Sequence, residues 1–353
     1  EIDAPFTLTT KEIVGNQNRV SVSFSGLPRA VKPKDKLFIN DGLVELEVVT
    51  VEGPEVHCKV IVGGPLRSRK GLNLPDIDLG ISAFTERDRE CLEFAMQNDV
   101  DAVSQSFVET AEDIKAVRKA ARELGHDPFI IAKIERAEAM EALDEIMEAT
   151  DVVMIARGDL GVEIGDAELP AVQKRIIQIA RTMDRVVITA TQMMQSMIEN
   201  PIPTRAEVFD VANAVIDGTD AVMLSAETAT GKFPDAAILA MDRICREAEK
   251  QREVTTSHHR IDTRFGHIDE AIAMATMYTA NHLGVKAIAA LTESGSTVKW
   301  MSRISSGIPI YALTRHVSTR RKVTLFRGVY PVSFDVASTN IAKVNMEVIE
   351  ELL

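Results

Sequence analysis

Four apolar runs in the middle of the chain end in side chains suited to polar chemistry. Phe129 to Ile134 carries Lys133 and continues into Glu135; Val152 to Ala156 runs into Arg157-Gly158-Asp159-Leu160-Gly161. Val186 to Thr189 is followed by Ala190-Thr191-Gln192-Met193-Met194, and Ala221 to Leu224 by Ser225-Ala226-Glu227. Lys133 and Glu135 are two positions apart, so a strand points both to one side. Glu135 and Asp159 would then converge from adjacent strand ends. Paired carboxylates suit Mg²⁺, a hard cation held by one or two carboxylates plus substrate oxygens. A neighbouring lysine suits an anionic substrate or an enolate. Thr191 suits a proton-carrying water or a substrate carboxylate, and the glycines at 158 and 161 let backbone N–H groups approach a ligand. A single lysine or glutamate at a strand end is ordinarily solvated surface; four strand ends in register are hard to explain that way.

The elements that would position these groups follow from periodicity. Residues 1 to about 75 are short β-rich runs broken by Gly, Asn and Asp, which describes a small antiparallel barrel or sandwich with a hairpin turn at Asp41-Gly42. From about residue 85 the chain alternates strand and helix. Thr85-Glu86-Arg87-Asp88 and Thr204-Arg205-Ala206-Glu207 open helices as capping boxes. A helix over 110–124 buries Ile114, Val117, Ala121 and Leu124 and stops at Gly125; strands are predicted over 100–107 and at the four runs above, with a Glu/Ala/Met-rich helix up to Ala149 and another from Pro234. These make about five βα units of about 30 residues each. Wholly apolar strands imply a parallel sheet covered on both faces, either open and doubly wound or part of a (β/α)8 barrel. Five units do not close a barrel, so about three more are expected before residue 1. Residues 254–266 read as a polar linker. A second α/β series follows, with strands near 287–291, 308–313 and 329–334 and a final helix from Ser338 carrying Ile341, Val344, Val348 and Leu352; no strand follows it, so the C-terminus is also expected to be cut.

The 353 residues are 26% charged and 45% hydrophobic, a globular mixture. A net charge of −13 disfavours wrapping nucleic acid or an anionic membrane, and no apolar run reaches the roughly 20 residues of a membrane span. Cys58, Cys91 and Cys245 are odd in number and widely spaced, which fits a reducing cytosol and argues against disulfides and zinc. The His258-His259 pair reads as solvated. The start, Glu1-Ile2-Asp3-Ala4-Pro5, resembles neither a signal peptide nor a natural start.

At this point the chain strongly resembles the pyruvate kinase family. The motifs are Ile131-Ala132-Lys133-Ile134-Glu135, Met154-Ile155-Ala156-Arg157-Gly158-Asp159-Leu160-Gly161-Val162-Glu163, Thr189-Ala190-Thr191-Gln192-Met193-Met194, Asn200 to Glu207, Asp210 to Ala214, Met223 to Thr228 and Arg69-Lys70-Gly71-Leu72-Asn73-Leu74-Pro75. The Thr191-Gln192-Met193-Met194 and Ser225 to Gly231 forms are similar to those of a bacterial branch. The resemblance implies a TIM barrel, incomplete here (76–253), with an inserted β-barrel lid (1–75) and a C-terminal α/β domain (254–353). It implies transfer of phosphoryl from phosphoenolpyruvate to ADP, giving pyruvate and ATP in glycolysis, in a cytoplasmic homotetramer. Glu135 and Asp159 would hold Mg²⁺ or Mn²⁺. Lys133 would stabilise charge on the phosphoryl group and the enolate. Gly158, Asp159 and Thr191 would hold the substrate carboxylate, and Thr191 would join the relay that protonates the enolate. Lys70 and Asp41, on the lid, would approach the nucleotide or its metal. The family's K⁺ ligands, phosphoryl-binding arginine and part of its ADP site belong to the first three barrel units, ahead of this chain. The family's effector loop matches Thr292, Ser294, Gly295, Ser296 and Thr297, where Glu293 adds negative charge with no basic neighbour in sequence; an ordinary βα turn accounts for the same residues.

Two rival readings accompany this one. Another Mg²⁺-dependent barrel acting on phosphoenolpyruvate or an oxoacid, such as a lyase, would use the same lysine and carboxylates without ADP. A non-catalytic fragment of the kinase would keep subunit interfaces without turnover.

Overall fold

The computed structural model describes residues 1–352 except 41, 76, 78, 79, 81, 252–263, 305 and 337–339. The hairpin turn at Asp41, the His258-His259 pair, most of the 254–266 linker and Ser338 lie outside the described residues.

The first unit comprises β1 (Pro5–Thr9), β2 (Arg19–Ser21), α1 (Leu27–Ala30), β3 (Lys36–Ile39), β4 (Val44–Glu52), β5 (Glu55–Val62) and β6 (Leu72–Asn73). They form one six-stranded sheet in the order β2-β1-β5-β4-β3-β6. Along β4, Val44, Leu46 and Val48 are buried while Glu45 and Glu47 are half-buried, the alternation of a sheet with one covered face. The expectation of an all-antiparallel unit fails at one pair: β1 and β2 run parallel. A parallel pair needs a crossover longer than a hairpin, and residues 10–18 supply it.

The second unit begins with α2 (Glu86–Gln97), whose Thr85 cap accepts from the Asp88 N–H as the capping box requires. Then follow β7 (Ala102–Gln105), α3 (Ala111–Glu123), β8 (Phe129–Ile134), α4 (Leu143–Ala149), β9 (Val152–Ala156), α5 (Arg157–Ile164), α6 (Leu169–Thr182), β10 (Val186–Ala190), α7 (Arg205–Asp217), β11 (Ala221–Met223), α8 (Ala226–Ala229) and α9 (Pro234–Ala248). The five strands are parallel and neighbour one another in chain order, so the fold is α/β as the alternation implied. Their side chains divide by period two. Ile130, Ala132, Ile134, Val153, Ile155 and Val187 pack outward against the helices. Val152, Met154, Val186, Ile188 and Ala190 pack inward, and Ile131 joins them.

The third unit is α10 (Ile268–Leu283), β12 (Ile288–Leu291), α11 (Ser296–Ser302), β13 (Ile310–Thr314), α12 (Val317–Val323), β14 (Val329–Ser333) and α13 (Ile341–Leu352), with a parallel sheet β12-β13-β14. Its apolar residues share a core with the inward face of β9 and β10. No helix among the described residues is long and apolar enough to cross a membrane.

Several expectations need correction. The run 100–107 is a strand only over Ala102–Gln105, because Phe107 takes φ 53° and leaves the extended region. Leu124 is exposed: it caps α3 instead of continuing its buried face. The Glu/Ala/Met-rich segment splits into a 3-10 turn, Glu138–Met140, and α4. Ile341 is exposed although Val344 and Val348 of the same helix are buried. Residues 157–161, whose glycines are expected to let backbone N–H groups approach a ligand, are the start of α5. The period-2 to period-3.6 switch is invisible where two glycines dilute the apolar pattern.

Candidate active site

Lys133 lies on the face of β8 that also carries Phe129 and Ile131, and Glu135 continues that face past the strand end. The Lys133 Nζ to Glu135 Oε1 distance is 2.7 Å; Lys133 also donates to Ser106 Oγ at 2.9 Å. The second Glu135 oxygen accepts the Phe107 N–H at 2.8 Å. The Glu135 side chain is only 2% exposed. Burial pushes its carboxyl above the ordinary glutamate range and outweighs the opposing pull of Lys133 and the Phe107 N–H; the nearby Asp159 charge pushes the same way.

Asp159 sits in the first turn of α5 and accepts from Asn73 Nδ2 of β6 at 3.0 Å, so the first unit reaches the carboxylate pair. Thr191 follows β10 directly. Its hydroxyl donates to the Ala190 carbonyl at 2.6 Å and accepts the Gly158 N–H at 2.8 Å. Thr191 and Gln192 both have positive φ, 66° and 55°. For a β-branched residue this is a costly conformation that surrounding contacts must hold, and such strain concentrates at functional sites. The Gly158 N–H, expected to face a ligand, is thus engaged by Thr191.

The structure brings together Lys133, Glu135, Asp159, Gly158 and Thr191. It turns two other strand-end groups into scaffold. Arg157 is buried, pairs with both oxygens of Asp210 at 2.7 and 2.8 Å and donates to the Thr191 carbonyl at 2.7 Å. Glu227 is buried and accepts the Met194 and Ser225 N–H groups at 3.1 and 2.8 Å, clamping two loops together. Lys70 is exposed and forms no ion pair with Glu135 or Asp159. Asp41 lies outside the described residues.

Sequence reasoning missed Ser106, the Phe107 N–H and Asn73. Ser106 follows β7, so the strand-end rule applied one strand earlier would have found it. Asn73 lies within the Arg69 to Pro75 motif, but a neutral amide on a two-residue strand gave no sign of its contact with Asp159. A cavity of about 620 Å³ includes Asn73, Ser106 and Phe107 in its wall but not Lys133, Glu135 or Thr191. It therefore lies beside the cluster. Arg136 also lines the cavity and pairs with Glu138 at 3.0 Å.

No group of three or more His, Cys, Asp or Glu among the described residues could hold a metal ion. The pair Glu135 and Asp159 nevertheless fits a hard divalent cation. Both offer carboxylate oxygens, Mg²⁺ takes the rest of its shell from water and substrate, and the raised Glu135 carboxyl marks a buried anion still short of positive charge. Cysteine chemistry is disfavoured at two of the three thiols: burial pushes Cys58 up to about 12 and Cys245 up to about 11.

The 292–297 loop joins β12 to α11. Thr292 Oγ1 accepts the Gly295 N–H at 3.0 Å, and the Ser294 and Ser296 hydroxyls bond each other at 2.9 Å. Thr297 lies in the first turn of α11. Glu293, without a basic neighbour in sequence, gains two in space: His316 pairs with it and Arg315 stands at 3.6 Å. The turn between β13 and α12 delivers both across the fold.

Comparison with known proteins shows the family. Residues 3–238 match the family description "Pyruvate kinase, barrel domain" and residues 270–353 match "Pyruvate kinase, alpha/beta domain". The chain is 52% identical over 331 residues to pyruvate kinase II of Salmonella typhimurium, covering 93% of this chain and 69% of that protein. It is 48% identical over 339 residues to the pyruvate kinase of Buchnera aphidicola from Acyrthosiphon pisum, covering 95% and 71%. It is 43% identical over 336 residues to that of Thermotoga maritima, covering 95% and 72%.

Proposed function

The chain belongs to the pyruvate kinase family, which transfers phosphoryl from phosphoenolpyruvate to ADP, and on that premise we propose that Lys133, Glu135, Asp159 and Thr191 carry the reaction. The observation that supports this most is the Lys133–Glu135 contact at 2.7 Å beside Asp159, a fixed cation next to two carboxylates. Phosphoryl transfer needs positioning and charge stabilisation more than covalent help from the protein. Lys133 Nζ, steadied by Glu135 and Ser106, is the donor for charge growing on the phosphoryl and enolate oxygens. Glu135 and Asp159 hold the divalent cation, Mg²⁺ or Mn²⁺; when bound, it neutralises phosphate charge. Thr191, held by Arg157 and Gly158, orients the substrate carboxylate and takes part in delivering a proton to the enolate. Asn73 ties the residue 1–75 unit to Asp159, which suits a lid over the 76–253 unit, with 254–353 as the third domain. Lys70 belongs to that lid and meets the nucleotide on closure. K⁺ is a further cofactor of this reading, with no ligand assigned in the chain, and a cytoplasmic homotetramer is its assembly.

The test is pyruvate formation by the 353-residue chain with phosphoenolpyruvate, ADP, Mg²⁺ and K⁺, beside Lys133→Met. ADP-dependent turnover lost in the variant supports the reading, and no turnover by either protein leaves the family assignment standing and points to an incomplete site. Turnover without ADP points to a lyase-type barrel instead, and turnover that survives Lys133→Met removes that lysine from the mechanism.

A further inference from the structure

The strand that carries Thr191 is held at its far end by a buried ion pair from another unit. Arg303 caps α11, and Asp220 precedes β11; their side chains are each 1% exposed. One Arg303 amine donates to the Arg185 carbonyl at 2.8 Å and to Asp220 Oδ2 at 3.0 Å; the other pairs with Asp220 Oδ1 and reaches Ser302 Oγ at 3.0 Å, and Nε reaches the same hydroxyl at 3.2 Å. Asp220 in turn accepts the Val187 N–H at 2.9 Å and the Arg327 N–H at 3.1 Å, and its own N–H donates to the Val187 carbonyl at 2.9 Å. Arg185 precedes β10 and Val187 is its second residue. A pair of side chains thus fixes the entry of this strand, and Thr191 leaves its exit.

We propose that Arg303 and Asp220 are positioning residues for Thr191, setting the register of β10 so that the seat of Thr191 depends on how α11 docks. A buried ion pair is no more stabilising than well-packed apolar residues of the same size, so cohesion alone does not explain its presence. A hydrogen-bonded parallel strand between two others is stiff along its axis, so a shift at residue 185 reaches residue 191. The strained φ of Thr191 makes its geometry sensitive to such a shift. The inference rests on Thr191 belonging to the active site, and its test separates the two.

Amide hydrogen exchange in the full chain reads the coupling without needing turnover. The reporters are the Val187 N–H at the entry of β10 and the Met194 N–H past its exit, with the Ile130 N–H, bonded to Asp151, as control. In Arg303→Met we expect exchange at both Val187 and Met194 to rise at least tenfold with Ile130 within twofold, and Arg303→Lys to recover part of the protection. In steady-state kinetics, kcat should fall about tenfold while KM for phosphoenolpyruvate stays within threefold. Val187 rising alone, or a uniform rise at all three amides in both variants, overturns the proposal. Thr191→Ala with unchanged turnover would instead refute the site assignment and leave the exchange result to decide the coupling.

Discussion

Two ion pairs in this chain, one between neighbours in sequence and one across 83 positions, differ in what they leave open. In Arg303–Asp220, all five guanidinium N–H groups and both carboxylate oxygens have partners within the protein. In Lys133–Glu135, the ammonium uses two of its three donors, on Glu135 and Ser106, and its side chain remains 25% exposed. Its partner carboxyl is raised by burial, the mark of an anion with too little positive charge around it. A saturated pair fixes geometry. An unsaturated one keeps capacity for a ligand.

Five measurements sharpen or break that contrast. Removing one partner of the saturated pair leaves a buried charge alone, so Asp220→Ala should cost about 3–5 kcal/mol in urea unfolding, with the Asp220→Leu/Arg303→Met pair of changes recovering most of it. If Asp220→Ala is as stable as the parent, the pair is no weld. Lys133→Met should act on chemistry instead, lowering pyruvate formation by about 10²–10³-fold, with an unfolding midpoint close to the parent's. A large stability loss without that rate effect would reverse the roles of the two pairs.

Metal titration probes the site's spare capacity. Asp159→Asn should weaken Mg²⁺ binding about tenfold, or about 1.4 kcal/mol, by calorimetry. The pH dependence follows from Glu135. Its carboxyl is raised in the fold, so its contribution to stability is present below the ordinary glutamate range and is lost as pH rises through the raised value. Mg²⁺ should offset that loss, raising Tm more at about pH 7.5 than at about pH 5, and Glu135→Gln should abolish the difference. An equal Tm gain at both pH values would sever Glu135 from the metal. The smallest effect belongs to a helix end: Thr204→Ala removes the hydroxyl that accepts the Glu207 N–H and should cost about 1 kcal/mol with activity unchanged.

Much of the candidate site was readable because strand ends are. β8 and β9 begin and end where the apolar runs do, since a buried parallel strand tolerates few polar residues and a period of two places Lys133 and Glu135 together. The capping boxes at Thr85 and Thr204 were equally local, each needing only residues three apart. Composition, alternation and these motifs were enough for the α/β class, the five consecutive parallel strands and the lysine–carboxylate pair.

Tertiary structure alone decided what the other charges do. Arg157 and Glu227 stand at strand ends with the same chemical promise as Lys133, yet their partners, Asp210 and the Met194 N–H, lie 53 and 33 positions away. Arg303 finds Asp220 across 83 positions. Glu293 gains His316 and Arg315 from a separate turn. A side chain's type limits its chemistry, but whether that chemistry faces a ligand or closes on the protein depends on which distant groups the fold places within about 3 Å of it.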